Sequence, residues 1–327
     1  YDKVNDSLKT AGLETVLFDK VSQNPLTTTA QEGADFAKAN GCDVVVAIGG
    51  GSIMDCAKAI AFLSKNEGDI NDYIYNRLTS DDALPLILIP TTCGTGSEGN
   101  GFAVLTNPDN GDKKSLRCNA IVAKVSIVDP ECMMTMPKKV LASVTFDALC
   151  HNIEAYTSKI AQPLTDAMSI YAIELIANNL VSVYNGTGSK KEWENITMAS
   201  TIGGMVINTA GVTIAHGMEH PASGLKDIVH GQGLAALTPI VIEASYKGNE
   251  EKFAKIAKIM LPKDYLAYRL SGSFCTDVSD ASGMLLLDVK NRCWSKEMME
   301  ICDVKEEQLP KLYESCLLYT SPSPRDS

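Results

Sequence analysis

The stretch CDVVVAIGGGSIMDCAKAIAFL, Cys42 to Leu63, decides the fold. Its first seven residues are a near-continuous apolar run, the pattern of a strand covered on both faces of a parallel sheet. Gly49-Gly50-Gly51-Ser52 follows at once, and Ser52–Leu63 reads as a helix. Glycines let a backbone approach a phosphate closely, and the first turn of a helix offers free N–H groups and the positive end of its dipole. The loop is neither the GxGxxG fingerprint nor a P-loop, which ends in Gly-Lys-Ser/Thr. Alone it equally describes a tight turn. The next strand, Leu84–Ile89, shifts the balance, because it too runs into a small polar loop, PTTCGTGSEGN (Pro90–Asn100). Two such loops share the carboxyl edge of a sheet, where open α/β sheets bind phosphates and dinucleotides.

Working outward, YDKVNDSLKTAG (Tyr1–Gly12) reads as a helix and ETVLF (Glu14–Phe18) as a strand, followed by Asp19 and a turn at Ser22–Pro25. Thr29–Asn40 reads as a helix closed by Gly41. Because Tyr1 falls inside a helix, the N-terminus is expected to be truncated, with the first strand of the sheet missing. Downstream, Phe102–Thr106 and Val125–Val128 read as further strands, and Pro137 opens a run of helices to about Ile259. The expected architecture is an α/β nucleotide-binding domain over 1–135, then an all-α domain over 136–258.

All four histidines, His151, His216, His220 and His230, lie in the helical part. Asp147 and His151 are four apart, as are His216 and His220, and i,i+4 pairs on a helix aim at one point. Imidazoles with a carboxylate are ligands for Zn or Fe(II). Incidental core or surface histidines are the competing reading. Cys150 adjoins His151 but points about 100° away on a helix. HGMEH (His216–His220) also fits the H-x-x-E-H pattern of inverted zinc peptidases, with Glu219 as base, although that reading leaves both glycine loops and the Asp147/His151 pair unexplained.

Composition narrows the classes. The 327 residues are 45% hydrophobic and 21% charged, an ordinary globular balance. A formal charge of -11 argues against a nucleic-acid or anionic-membrane surface. We read no apolar run of membrane-spanning length and no signal-peptide pattern. The ten cysteines form no CxxC pair and read as reduced thiols of a cytoplasmic protein.

Five motifs in this order resemble the iron-containing (group III) alcohol dehydrogenases: GGGSIMDCAKAI (Gly49–Ile60), IPTTCGTGSE (Ile89–Glu98), IVDPE (Ile127–Glu131), FDALCHNIEAYTS (Phe146–Ser158) and HGMEHPASGLKDIVHGQG (His216–Gly233). The resemblance implies a dehydroquinate synthase-like architecture and hydride transfer between NAD(P) and a small primary alcohol or aldehyde. A polyol dehydrogenase of the same superfamily is the alternative. It implies metal ligands at Asp147, His151, His216 and His230, and a proton-relaying His220. The cofactor positions fall on Gly50, Gly51, Ser52, Asp55, Thr91, Thr92, Thr95 and Lys114, with Asp19 meeting the adenosine ribose. Fe(II) is the implied metal, with Zn or Mn possible, and NAD is preferred to NADP. The family commonly forms homodimers.

The resemblance is read to stop near residue 258. LPKDYLAYRLSG (Leu261–Gly272), TDVSDASG (Thr276–Gly283) and the following LLLDVKNRCWS resemble xylulokinase of the FGGY carbohydrate kinases. Residues 259–315 are therefore expected to be a foreign α/β fragment that is inactive alone. CLLYTSPSPRDS (Cys316–Ser327) is read as an adapter-derived tail. The composite chain itself is expected to lack activity.

Overall fold

The computed structural model describes residues 1–257 and short pieces at 275–277, 287–288, 291, 293–296, 299 and 311–313. Two compact units are present, Tyr1–Ile256 and Ala257–Ser327. In the second, Cys275–Asp277 pairs in parallel with Lys311–Tyr313, and Leu287–Asp288 pairs antiparallel with Cys293–Trp294. Most of 259–315, where a kinase fragment is expected, and all of 316–327, where an adapter-derived tail is expected, lie outside the described residues.

The first unit starts with α1 (Asp2–Thr10) and α2 (Thr27–Ala39). Strand β1 (Val45–Gly49) runs straight into α3 (Gly51–Leu63), as the glycine stretch predicts. A short α4 (Ile70–Ile74) leads to β2 (Leu86–Pro90), which pairs in parallel with β1 and with β5 (Val125–Ser126). Between β2 and β5 the chain forms an antiparallel hairpin, β3 (Phe102–Thr106) and β4 (Lys113–Arg117). Alanines of α2 and α3 pack with Leu86, Leu88, Ala103 and Leu105 into one core. The parallel register puts Gly49 beside Pro90, so both polar loops leave the sheet at the same edge.

Glu14–Phe18 is a correction to the strand expected there. It makes no ladder with any described residue, and Leu13, Val16 and Leu17 are exposed. Its β-branched and aromatic residues suit a strand, but a strand needs a hydrogen-bonded neighbour, and local sequence does not reveal one. Phe18 instead packs on Phe36 of α2, ring centroids 5.9 Å apart.

The helical part comprises α5 (Lys138–Thr157), α6 (Pro163–Asn185), α7 (Lys190–Ala210), α8 (Ile214–Lys226), α9 (His230–Ser245) and α10 (Glu250–Ala257). Helix α6 corrects a second expectation. By length and composition alone it could cross a membrane. Here it packs between α5 and α7, with Ala172 and Ile176 in their shared core.

The two parts of this unit are fastened where the Pro90–Asn100 loop meets α7. Gly96 has φ of +57°, and a Cβ on Gly204 would stand 1.8 Å from its carbonyl oxygen. Thr201 donates to Glu98 Oε1 (2.7 Å) and Gly101 N–H to Asn208 Oδ1 (3.0 Å). Gly204→Ala should therefore cost about 1–3 kcal/mol, because backbone on both sides must move. Gly217→Ala, with open space around it, should be neutral or gain a few tenths of a kcal/mol. Urea denaturation of the two variants checks this, and equal midpoints would contradict the close approach.

Candidate metal and nucleotide site

Helix α5 carries Asp147, His151 and Glu154 at i, i+4 and i+7, one face of a helix. All three are buried. Helix α8 adds His216, Glu219 and His220, and His230 is the first residue of α9. Three imidazole nitrogens gather on one oxygen. His216 Nε2 lies 3.2 Å from Asp147 Oδ1, His151 Nε2 3.5 Å and His230 Nε2 3.6 Å.

The far sides of two rings are held by carboxylates. Glu154 Oε1 lies 2.5 Å from His216 Nδ1, and Glu154 also accepts from the backbone and hydroxyl of Thr213, the N-cap of α8. Glu219 holds His230 Nδ1 and Ser223 Oγ. Each carboxylate fixes its partner's tautomer as Nδ1–H, which turns the Nε2 lone pair toward Asp147. Acceptors then face an acceptor, an arrangement that needs a positive charge between them. His151 Nδ1 is buried with no hydrogen-bond partner among the described residues.

The electrostatics say the same. Burial pushes Asp147 up, but His151, His230 and His216 together outweigh it and hold the carboxyl far below its usual range. Burial pulls His216 down, yet Asp147 and Glu154 carry it up to about 9. His151, in contrast, is pulled down to about 4, chiefly by burial. In the protein alone a proton on His216 supplies the charge that the cluster demands. A divalent cation fits the same place, with Asp147, His151 and His216 as its nearest buried donors and His230 facing them.

A cavity of about 930 Å³ joins this cluster to the glycine loop. Gly50, Gly51, Ser52, Asp55, Thr92, Thr95 and Lys114 line it together with Asp147, His151, His216, His220 and His230. Helix α3 opens there with no side-chain cap, leaving its first amides available. A Cβ on Gly51 would stand 2.3 Å from Thr95 Cγ2, so only glycine fits against the second loop. Two expected positions are not in the cavity wall. Thr91 continues the β1–β2 ladder, its N–H bonded to Gly49 O (3.0 Å), and Asp19 is exposed.

Several residues were missed in the sequence. Lys114 sits at the rim, paired with Asp112 (3.1 Å) and over the Tyr75 ring. Its neighbour Lys113 is the buried one, and its Nζ donates to Asn24 Oδ1 (3.0 Å). No local signal marked it, because β4 reads KKSLR and its burial does not alternate. Glu154 and Glu219 were not read as orienting groups. Glu219 is fully buried and engaged by His230 and Ser223, so it is not free to be the base of a peptidase. Lys58, also fully buried, donates to Ser97 O (2.5 Å), Asn100 Oδ1 (3.0 Å) and Phe102 O (2.8 Å). Asp55 accepts from Ser97 Oγ (2.6 Å) and Val104 N–H (3.0 Å), so one turn of α3 fixes the second loop.

Comparison with known proteins gives the family. The family model for iron-containing alcohol dehydrogenase matches residues 1–130, and that for the C-terminal part of the Fe-containing alcohol dehydrogenase family matches 141–322. The chain is 39% identical over 265 residues to choline dehydrogenase of Bacillus subtilis (strain 168), covering 79% of this chain and 65% of that protein. It is similar to a crystal structure of 1,3-propanediol oxidoreductase, with a TM-score of 0.75, 38% identity, and 79% and 68% of the two chains covered. It also resembles NADH-dependent butanol dehydrogenase A of Thermotoga maritima, with a TM-score of 0.74, 32% identity, and 80% and 66% covered. The chain thus spans about two thirds of the length of each.

If Glu154 orients His216 toward a cation, Glu154→Gln should weaken Zn(II) or Co(II) binding by roughly 10- to 100-fold. Competition with a chromogenic chelator measures it. Unchanged affinity would show that the Glu154 contact serves only the fold.

Proposed function

The chain belongs to the iron-containing alcohol dehydrogenase family, and from that premise we propose that it is a metal-dependent oxidoreductase passing hydride between NAD and a small primary alcohol or its aldehyde. The observation that carries the reading is one cavity with a cation-demanding cluster at one end and an uncapped helix N-terminus at the other. Asp147, His151, His216 and His230 would hold the metal, Fe(II) by preference with Zn or Mn accepted. Bound there, the metal supplies Lewis-acid polarisation of the substrate oxygen and the nicotinamide supplies the hydride acceptor.

The chain's own residues do the rest. Gly50, Gly51 and Ser52 present backbone N–H groups to the cofactor's phosphates. Thr92 and Thr95 narrow the opposite wall, and Asp55 and Lys58 keep that wall in place. Lys113 brings a buried positive charge to the cavity, and it takes the role that the sequence assigned to Lys114. His220 lies in the cavity wall with its ring 5.5 Å from that of His230. Burial, with His230 and His216 beside it, lowers its pKa to about 2 and keeps the ring neutral, so it has a free nitrogen that can take up the proton leaving the substrate and pass it to water. Asp19 follows the extended segment leading to the cavity-lining Val21–Pro25, where a carboxylate would favour a ribose hydroxyl over a 2′-phosphate.

Binding tests this reading on the chain as it stands. NADH fluorescence titration should show saturable binding, tighter than that of NADPH. Lys113→Met should weaken it by about 10-fold or more, the worth of a charge-assisted hydrogen bond, while Lys114→Met should change it less than about twofold, as expected for an exposed ion pair. Absence of NADH binding would overturn the nucleotide half of the reading. The reverse order of the two lysines would restore Lys114.

The metal half has its own test. His216→Ala should abolish stoichiometric metal, whereas His220→Ala should retain it and slow any alcohol-dependent NADH formation by roughly 100-fold. Retention of metal by His216→Ala would show that the cluster is not the metal site.

A further inference from the structure

Three non-glycine residues among those described adopt left-handed backbone: Asn24 (φ 50°), Asn76 (56°) and Asp227 (51°). Two of them meet. Asn24 Nδ2 donates to Asp227 Oδ1 at 2.6 Å, across 203 positions of sequence. Asn24 Oδ1 accepts from Lys113 Nζ at 3.0 Å, so one amide bridges a buried cation and a carboxylate. Asn and Asp tolerate this backbone better than other side chains, but glycine would adopt it more readily. At both positions the side chain also makes a long-range contact that glycine could not make.

Their places in the fold show what these contacts join. Asn24 lies between Phe18 and α2, in the nucleotide part, and lines the cavity with Lys113 of β4. Asp227 is the C-cap of α8, the helix of His216 and His220, and stands three residues before His230. The bridge thus runs from the nucleotide wall of the cavity to the turn that delivers the last metal-facing histidine. A second fastening lies beside it. A Cβ on Gly224 would stand 2.2 Å from Gly111 O, so the β3–β4 turn packs backbone against backbone on the end of α8.

We propose that Asn24 and Asp227 are positioning residues that couple occupancy of the nucleotide wall to metal affinity. A cofactor that orders Val21–Pro25 fixes Asn24, Asn24 fixes the Asp227 turn, and the turn sets His230 against Asp147. Linkage requires the converse, so metal tightens the cofactor by the same factor. The inference rests on the metal and nucleotide sites proposed above.

The test is the Zn(II) affinity of the full chain, measured by chelator competition with and without NADH. In the unaltered protein NADH should raise it about fivefold or more. Asp227→Gly keeps the left-handed preference and deletes the carboxylate. It should lower Zn(II) affinity and remove the NADH dependence, and Asn24→Gly should do the same from the other side. Asp227→Asn keeps an acceptor oxygen for Asn24 and should restore both. Glycine variants with unaltered affinity and NADH response would overturn the coupling. So would an Asp227→Asn protein as impaired as Asp227→Gly, since charge rather than the bridge would then be responsible. An unaltered protein that takes up no stoichiometric Zn(II) would overturn the metal reading itself, a result distinct from either.

Discussion

The helical part is organised around a single oxygen, Asp147 Oδ1. Three ring nitrogens from three helices reach within 3.6 Å of it. Burying that carboxylate without positive charge nearby would be costly, and burying the imidazoles without acceptors on their far sides would leave their orientation free. Glu154 and Glu219 meet the second need. Glu154 does more, because it also takes the backbone and hydroxyl of Thr213, so the carboxylate that turns His216 also fixes the start of the helix carrying it. Ligand geometry and helix placement are here the same set of contacts.

The α/β part has a comparable centre in Asp55 and Lys58, one helical turn apart on α3. Burial lowers Lys58 to about 8, with Asp55 and Glu98 opposing. Its three oxygen acceptors all belong to the segment Ser97–Phe102. Asp55 holds Ser97 of the same stretch and Val104 of β3. A buried pair is weak evidence of net stability but strong evidence of specification, since losing either partner leaves an uncompensated charge. What is specified is the loop carrying Thr92, Thr95 and Gly96, and through Gly96 its seat on α7.

Legibility in the sequence followed the range of the interaction that decides each feature. The β1–α3 unit was legible because an unbroken apolar run and a glycine loop are local signals. The histidine pairs were legible because i,i+4 spacing is local too. Glu14–Phe18 misled because strand pairing is not local. KKSLR went unread as β4 because only its partner β3 shows which lysine faces inward. Glu154 was not singled out and Glu219 was weighed only as a peptidase base, because only the crossing of α5, α8 and α9 reveals what they hold. Asp19 and Thr91 were placed by resemblance. Thr91 is occupied in the strand ladder and Asp19 is exposed, so neither forms the wall that the other seven cofactor positions share.

Lys113 shows how the two ends of the cavity are kept chemically distinct. Burial pulls its pKa down, while Glu219, Asp147, Asp55 and Asp227 pull it back up. Two of those carboxylates belong to the Asp147 cluster, one to the α3 centre and one to the α8–α9 turn, so this one ammonium feels carboxylates from all three. Beyond it on one side the cavity presents acceptors converging on Asp147, which suits a cation. On the other it presents the uncapped amides of α3, which suit an anion. A mobile anion drawn toward the histidine end would meet Asp147 and Glu219, offset in part by His216 and Lys113. A cation drawn toward α3 would meet the positive end of the helix dipole. The wall thus sorts its ligands by charge before any of them makes a specific contact, in a chain whose net charge of -11 would otherwise favour cations throughout.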